Sequence, residues 1–410
     1  MKINYRIAIF AIYLFWGMLF FSLCSILGIK YGEDEMPPLY SVGILLTVVL
    51  TVIALGKSIF SLIRENSLFT FVFPLFVTLC FLYDSFTSRG NLTQYFVYYV
   101  AFCIPSTYIG VYLAKNGGIA TLGKWLDIVM IICSLGVLRA LPDIIYNSVI
   151  SLGGASYQQL SYMSGLAFCI NLCGLFLGDR YERFPFMQSF LGRILSIVLL
   201  MIQLLGCLYS GGRGGFVYLA LTAAFLFVYS KRSRNLLYLV VFILLFVFIS
   251  TQFRGSIFYD VIGVRMERTF SFITEGGEID TQNRNDVWNG SIAMIKNSDT
   301  VLGFGLFHYY YVIMKTINQP YAHNLFLEFM LQGGILYLSL WTILLFVFVK
   351  RFYFILKYSK SQVILIPLAF YIFVELLFSS TYLRAGLLWL TLAYVFSYYT
   401  ILKRSHNKIE

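Results

Sequence analysis

The sequence predicts an all-α polytopic membrane protein of about twelve spans, with one long external loop of short helices. Three observations carry that prediction. Of the 410 residues, 59% are hydrophobic and only 12% charged, against about 25% charged in an ordinary soluble domain, so a water-soluble globule of this size could not clothe its surface. The apolar runs are continuous over about 20 residues, the length a helix needs to cross a bilayer core; an outer-membrane barrel would instead alternate apolar and polar residues over about ten positions. The basic residues are shared unequally between alternate connecting segments, which orients the spans.

The first apolar run, 7–27, follows Lys2 and Arg6. It is long for a leader and lacks a small-x-small cleavage site, so it is expected to remain as a membrane helix. Further spans are expected near 39–56, 67–83, 94–113, 122–140, 160–178, 192–209, 214–230, 235–250, 324–349, 363–381 and 386–402. With the N-terminus in the cytoplasm, 19 basic residues fall on inner segments and 11 on outer ones, six of the latter in a single long loop where the charge rule carries little weight. The remaining contrast of 19 to five fixes both termini inside. The net charge, 30 − 19 = +11, then reflects anchoring at the cytoplasmic face of an inner membrane, and no nucleic-acid partner is implied.

The organisation expected is nine membrane helices over 1–250, an external loop over 251–323, and three more membrane helices with a cytoplasmic tail over 324–410. Structureless loops of that length are uncommon, so the loop should form short interfacial helices. One candidate covers 285–294, with Val287, Trp288, Ile292 and Ile295 on one side. The seven cysteines, Cys24, Cys80, Cys103, Cys133, Cys169, Cys173 and Cys207, all lie in apolar runs. They read as small buried hydrophobes, with no disulfide framework and no metal site.

The informative departure is on the outside. Lys30, Arg89, Arg139, Arg213 and Arg384 break the charge rule, and the long loop adds Arg254, Arg265, Arg268, Arg284, Lys296 and Lys315. Eight of these eleven are Arg, against nine of nineteen inside. Lys suffices as an anchor, whereas Arg offers a planar fork of donors that clamps phosphate and keeps its proton. The outer face is therefore a candidate diphosphate site, in which Arg213, Arg284, Arg265, Arg268, Arg254 and Arg384 would bind. The alternative is pairing with the loop acids Asp260, Glu267, Glu275, Glu278, Asp280, Asp286 and Asp299; Arg213 and Arg384 have no acid close by in sequence.

Three motifs accompany the arginines. Ser210-Gly211-Gly212-Arg213-Gly214-Gly215 forms a tight outer hairpin. Its glycines permit close backbone approach to a ligand, and the next helix points its positive end outward. Arg284-Asn285-Asp286-Val287-Trp288 is followed by Leu302-Gly303-Phe304-Gly305-Leu306. Trp288 either stacks on sugar or on Arg284, or anchors at the interface. Finally, His323 and Asn324 stand where the loop re-enters the membrane, ahead of Gly333-Gly334. His323 can act as base or donor near neutrality, or simply cap the helix, a role natural to Asn324. Tyr309, Tyr310, Tyr311 and Tyr321 form an outer aromatic patch that either packs on sugar rings or belongs to an interfacial belt.

An Arg beside Gly in a hairpin, a long outer loop with Arg and Trp, a Gly-x-Gly, then His-Asn entering a helix with a Gly pair: this order, from about Leu204 to Leu340, resembles the O-antigen ligase and Wzy-type polysaccharide polymerase family. The His-Asn and Arg-Gly elements are its specific parts. The resemblance implies an undecaprenyl-diphosphate-linked glycan as donor, a second glycan as acceptor, a site on the outer side of the inner membrane, no cofactor, no metal and no nucleotide sugar. A chain-length regulator is expected from the family alone. It implies catalytic roles for Arg213, Arg284 and His323, with Asn324, Trp288 and Tyr321 on the substrate; Arg254, Arg265, Arg268 and Arg384 come from charge logic. Glu328 and Asp286 are alternative bases. Within the resemblance, polymerase is favoured and ligase is the rival. A transporter of lipid-linked oligosaccharide is the rival from another class, with Glu375 as a midspan charge and Asp127 nearer an inner end.

Overall fold

The computed structural model describes residues 4–32, 37–87, 93–145, 152–210, 212–230, 284–297 and 301–407. It is an all-α membrane bundle. The chain opens with α1 (Tyr5–Leu14) and α2 (Trp16–Ile26), then α3 (Pro38–Leu55) and the short α4 (Ser58–Glu65). A π-helical turn (Leu68–Val72) leads into α5 (Phe73–Thr87); α6 (Thr93–Tyr98) passes through a second π turn (Tyr99–Cys103) into α7 (Ile104–Lys115). Next come α8 (Gly123–Ala140), α9 (Tyr157–Leu177), the single turn α10 (Pro185–Gln188), α11 (Phe190–Tyr209) and α12 (Arg213–Ser230). The rest is α13 (Arg284–Lys296), α14 (His308–Ile317), α15 (Leu325–Tyr358), α16 (Leu365–Phe378) and α17 (Gly386–His406).

Eleven of the twelve expected spans coincide with helix; 235–250 lies outside the described residues. Among the described residues, seven helices are long and apolar enough to cross a bilayer, or eight if α1 and α2 count as one bent span. α12 and α16 are shorter apolar helices. The outward faces carry side chains that only lipid would tolerate in such density, among them Ile53, Phe86 and Phe346.

The first expected span is not one straight helix. α1 and α2 meet at 78° around Phe15, without a proline. The Trp16 indole there donates to the carbonyl of Tyr40 on α3 at 3.1 Å. α9 is the central helix, with 94% of its apolar window buried, and α8, α11, α12 and α16 pack around it. Small residues set the closest approach: a Cβ on Gly215 would lie 2.4 Å from the Ser161 carbonyl oxygen. Asn171 donates to Ser196 O at 2.7 Å and Gln203 to Ser134 at 2.9 Å inside the bundle.

Two expectations are corrected here. Arg183, one of the 19 basic residues counted on inner segments and so expected as an anchor at the membrane surface, is instead buried, and its Nε and Nη2 reach Asp127 Oδ1 at 3.0 and 2.7 Å. A bidentate pair of this kind is what lets both charges leave water. In the loop, the expected helix forms as α13, but Ile292 is exposed; Val287, Ser291 and Met294 make the buried side. At 100° per residue, Ile292 stands about 140° round from Val287, whereas the other two lie within about 40° of it.

Re-entry at α15 follows the sequence. Asn324 caps the helix, its Oδ1 accepting from the amides of Phe326 at 3.0 Å and Leu327 at 3.2 Å. α15 is broken at Gly333 (φ −139°, ψ 23°) and Gly334 (φ 60°, ψ −157°). The break frees backbone carbonyls inside the bundle, and buried ones need partners. The Gly-x-Gly of the loop supplies them: Phe304 N donates to Leu331 O and Gly305 N to Gln332 O, both at 2.8 Å. The Gly-x-Gly and the Gly pair of the sequence are thus two halves of one backbone joint. Asp84, buried on α5, completes it by accepting from the amides of Phe307 at 2.7 Å and His308 at 3.1 Å at the start of α14.

Candidate functional site

A cavity of about 710 Å³ opens at one end of the bundle, well within the size range of small-molecule sites. Its wall is assembled from many elements: Tyr13 to Met18 at the α1–α2 break, Tyr40 on α3, Gln94, Tyr95 and Tyr98 on α6, Gln158 and Tyr162 on α9, Tyr321, Tyr371 and Glu375 on α16, and then Ser379 to Thr381 and Arg384 to Leu387. Of the segments that the charge count assigns to the outside, those before α9, before α15 and between α16 and α17 contribute to the wall. The second π turn runs beside Tyr98 and Phe102, both in the wall; such turns recur where a helix is distorted to serve a site.

Arg384 is the guanidinium of this cavity. It sits in the turn between α16 and α17, 5.5 Å over the ring of Tyr98. Among the described residues no carboxylate pairs with it within 4.0 Å; the ion pairs found are Lys30–Asp143, Lys124–Glu182, Arg183–Asp127 and Arg404–Glu65. Lys30, one of the five outer exceptions, is therefore accounted for by Asp143. Arg384 remains available to an anion.

The loop before α15 is pinned at three successive residues. Tyr95 donates to Pro320 O at 2.9 Å, the Tyr321 hydroxyl to Ser379 O at 2.5 Å, and Ala322 N to the Tyr309 hydroxyl at 2.7 Å. The next residue, His323, takes a left-handed backbone (φ 51°), which a residue other than Gly adopts when its surroundings over-determine it. Its ring lies 4.3 Å from that of Tyr321, centroid to centroid. Tyr321 thus stands in the cavity wall with His323 packed beside it.

Tyr309 and Tyr310 correct an expectation. They are buried, not part of an outer patch. Burial pushes both phenols well above their ordinary range, so they stay protonated. Tyr310 stacks on Tyr95 at 3.6 Å and donates to Glu328 Oε1 at 2.6 Å. Thr381 also donates to that oxygen at 2.6 Å, and Gln332 bridges to the Tyr310 hydroxyl and to Tyr382. Glu328 is locked in this network and is not in the cavity wall.

The remaining sequence candidates fall as follows. The hairpin arginine, Arg213, opens α12, and its side chain lies outside the described residues. The adjoining glycines press on α9: a Cβ on Gly212 would lie 3.4 Å from Gln158 Cα, and one on Gly214 would overlap the Tyr162 hydroxyl. Both Gln158 and Tyr162 line the cavity, so the hairpin backbone abuts its wall. Arg284 opens α13, again with its side chain outside the described residues. Arg254, Arg265, Arg268 and Arg89 lie outside them altogether. Trp288 is half-buried on α13, which packs against α14 and α15. Among the described residues no three metal-ligating side chains gather.

Residues 197–342 match the family model described as O-Antigen ligase. The resemblance to the O-antigen ligase and Wzy-type family stands. Among curated proteins, none matches the chain. The O-antigen ligase stretch takes in α11, the hairpin, α12, the external loop and the first half of α15, and so contains Arg213, Arg284 and His323. It stops short of Glu375 and Arg384, which bring the ionisable groups to the cavity from the other side. Charge logic singled out Arg384; Gln94, Gln158 and Tyr98 carried no signal in sequence, because polar and aromatic residues at helix ends are ordinary. The family match and the apolar helices together describe a multi-pass membrane protein with a stretch similar to O-antigen ligase.

Proposed function

We propose that the chain polymerises undecaprenyl-diphosphate-linked oligosaccharide repeat units, of an O-antigen or a capsular polysaccharide, on the outer side of the cytoplasmic membrane. The observation that carries the reading is a polar cavity lined by Arg384, which no carboxylate pairs among the described residues, in a chain whose residues 197–342 match the O-antigen ligase family. The diphosphate of the donor meets Arg384 together with Arg213, Arg284 and the loop arginines Arg254, Arg265 and Arg268. These neutralise the negative charge that grows as the anomeric C–O bond breaks, which is where a preorganised site gains most. In this reading the arginines do the work of a divalent ion. His323, behind Tyr321, orients the acceptor glycan; Tyr321, Asn324 and Trp288 serve the sugars. A chain-length regulator would act on this chain from outside the cavity.

Replacing Arg213, Arg284 or His323 by Ala is expected to abolish polymer ladders while leaving membrane insertion intact, and purified activity is expected to survive EDTA. Full chain growth in all three variants would remove the proposed site. The family description itself favours a second reading, transfer of finished glycan to lipid A core or another acceptor. Incubation with lipid-linked repeat units alone separates the two: elongation supports the polymerase, and a requirement for the core acceptor supports the ligase.

A further inference from the structure

Among the described residues, one acid lines the cavity. Glu375 lies on α16 three residues from its C-terminal end, about 5 Å along the axis at 1.5 Å per residue. Sequence alone suggests a midspan charge; the structure sets Glu375 in the cavity wall near the end of the helix. Tyr371, one turn earlier on the same helix, lines the cavity beside it. A carboxyl at this depth is expensive unless something uses it.

Arg384 and Glu375 share the cavity wall. Yet they form no ion pair within 4.0 Å, although such pairs form elsewhere in the molecule. A half-buried cation and a half-buried acid that line one space without touching leave room between them for a ligand that meets both. Of the three other candidate bases, Asp286 is exposed on α13 and does not line the cavity, and the remaining two are placed differently. Glu328 is not among the lining residues and gives one oxygen to Tyr310 and Thr381, and His323 packs on Tyr321 outside the residues that line the cavity.

We propose that Glu375 is the general base of the transfer, receiving the proton of the acceptor hydroxyl inside the cavity while Arg384 holds the departing diphosphate. The inference rests on the glycosyl-transfer reading above. In the step, the acceptor O–H proton passes to a carboxylate oxygen of Glu375, and the oxygen's electron pair forms the new bond to the anomeric carbon. The bond from that carbon to the phosphate oxygen breaks with its pair, which leaves on the diphosphate against Arg384. The proton on Glu375 then returns to water at the cavity mouth. Charge and atoms balance without any further reagent.

The test uses the full chain in vesicles, the lipid-linked glycan that accumulates in cells lacking it, and undecaprenyl diphosphate as a binding probe. Glu375→Gln is expected to slow transfer at least 100-fold, the scale of a lost general base, with affinity for undecaprenyl diphosphate within threefold of wild type. Glu375→Asp is expected to recover part of the rate, and Arg384→Ala to weaken the probe's binding. Glu375→Gln retaining more than a third of the rate overturns the proposal, as does a rate loss matched by an equal loss of affinity, which would make Glu375 a positioning residue. Should the Gln variant fail to accumulate, carbodiimide labelling of the wild type decides: Glu375 labelled, and protected by the glycan, supports the base, and Glu375 unreactive overturns it. A wild type that binds the glycan without transferring it removes the transfer reading and the base together, whereas an active wild type with an active Gln variant removes the base alone.

Discussion

Gly334→Ala tests whether the break in α15 is held by the loop that docks on it. Gly334 has φ 60° and ψ −157°, a region that essentially only Gly occupies, so a side chain there costs roughly 1–3 kcal/mol in backbone strain. The new Cβ would also lie 2.3 Å from Val301 O and 2.7 Å from Leu302 N, both backbone atoms that cannot swing aside. Relief requires the 301–305 loop to lift, which breaks the Phe304–Leu331 and Gly305–Gln332 hydrogen bonds at about 1 kcal/mol each. Together the cost is roughly 3–5 kcal/mol. Gly28 is the control: its φ is +74° with nothing within 4 Å of a Cβ, so Gly28→Ala costs only the left-handed strain, about 1–2 kcal/mol. In detergent, thermal unfolding followed by tryptophan fluorescence should show Gly334→Ala melting several degrees below Gly28→Ala. Because the loop leads into α14, whose Tyr309 and Tyr310 hold the segment at 320–322 and the network at Glu328, transfer should fall with it. Equal melting points for the two variants would refute the joint.

Other substitutions probe separate parts. Arg384→Lys keeps the charge and loses the fork, so transfer should drop roughly 10-fold, and Arg384→Ala should lower it further; equal rates for Lys and wild type would take bidentate phosphate binding out of the cavity. Asp127→Ala strands Arg183 in a buried place and should cost about 3–5 kcal/mol, read as loss of folded protein in the membrane, while Asp127→Leu with Arg183→Met should recover most of it. Ser161→Val crowds Gly215 and removes the bond from Ser161 to Gly212 O at 2.5 Å; the hairpin that carries Arg213 should shift, raising the donor KM more than it lowers kcat.

How much of this was legible in the sequence depends on range. The spans were, because 20 apolar residues in a row have few other uses, and Asn324 at the head of α15 reads as a cap from its residue type. The bend between α1 and α2 was not: no Pro marks it, and its nearest contact, Trp16 with Tyr40, is a pairing 24 residues apart. Gly303, Gly305 and the Gly pair were visible as a motif but not as one joint, since their meeting depends on where the loop folds back. Arg384 stood out because a cation outside breaks a rule. Arg183 was misread because it obeyed one, and only the fold shows Asp127 next to it. Glu375 was noticed as a charge in an apolar run, and only the placement of α16 shows which end of the bundle it serves.

The network beside the cavity is built around a carboxyl, Glu328, that is already engaged by Tyr310 and Thr381, and this has a consequence for Arg384. Tyr310, Thr381, Gln332 and Tyr382 converge on Glu328 and tie α14, α15 and the turn before α17 together. Thr381 stands three residues before Arg384, and Arg384 N donates to Thr381 O at 3.1 Å; the network therefore sets the position of the arginine without supplying a carboxylate to pair with it. Tyr310→Phe removes the hydroxyl at the centre and leaves the ring on Tyr95. The loss of its bonds to Glu328 and Thr381 should cost about 1–3 kcal/mol, since the partners stay buried. The variant should insert and fold, yet the Thr381–Arg384 turn should loosen, raising the donor KM several-fold with a smaller change in kcat. A variant that melts lower but transfers normally would show that the network stabilises the bundle without setting Arg384, and the cavity's electrostatics would then have to be located in Arg213 and Arg284 instead.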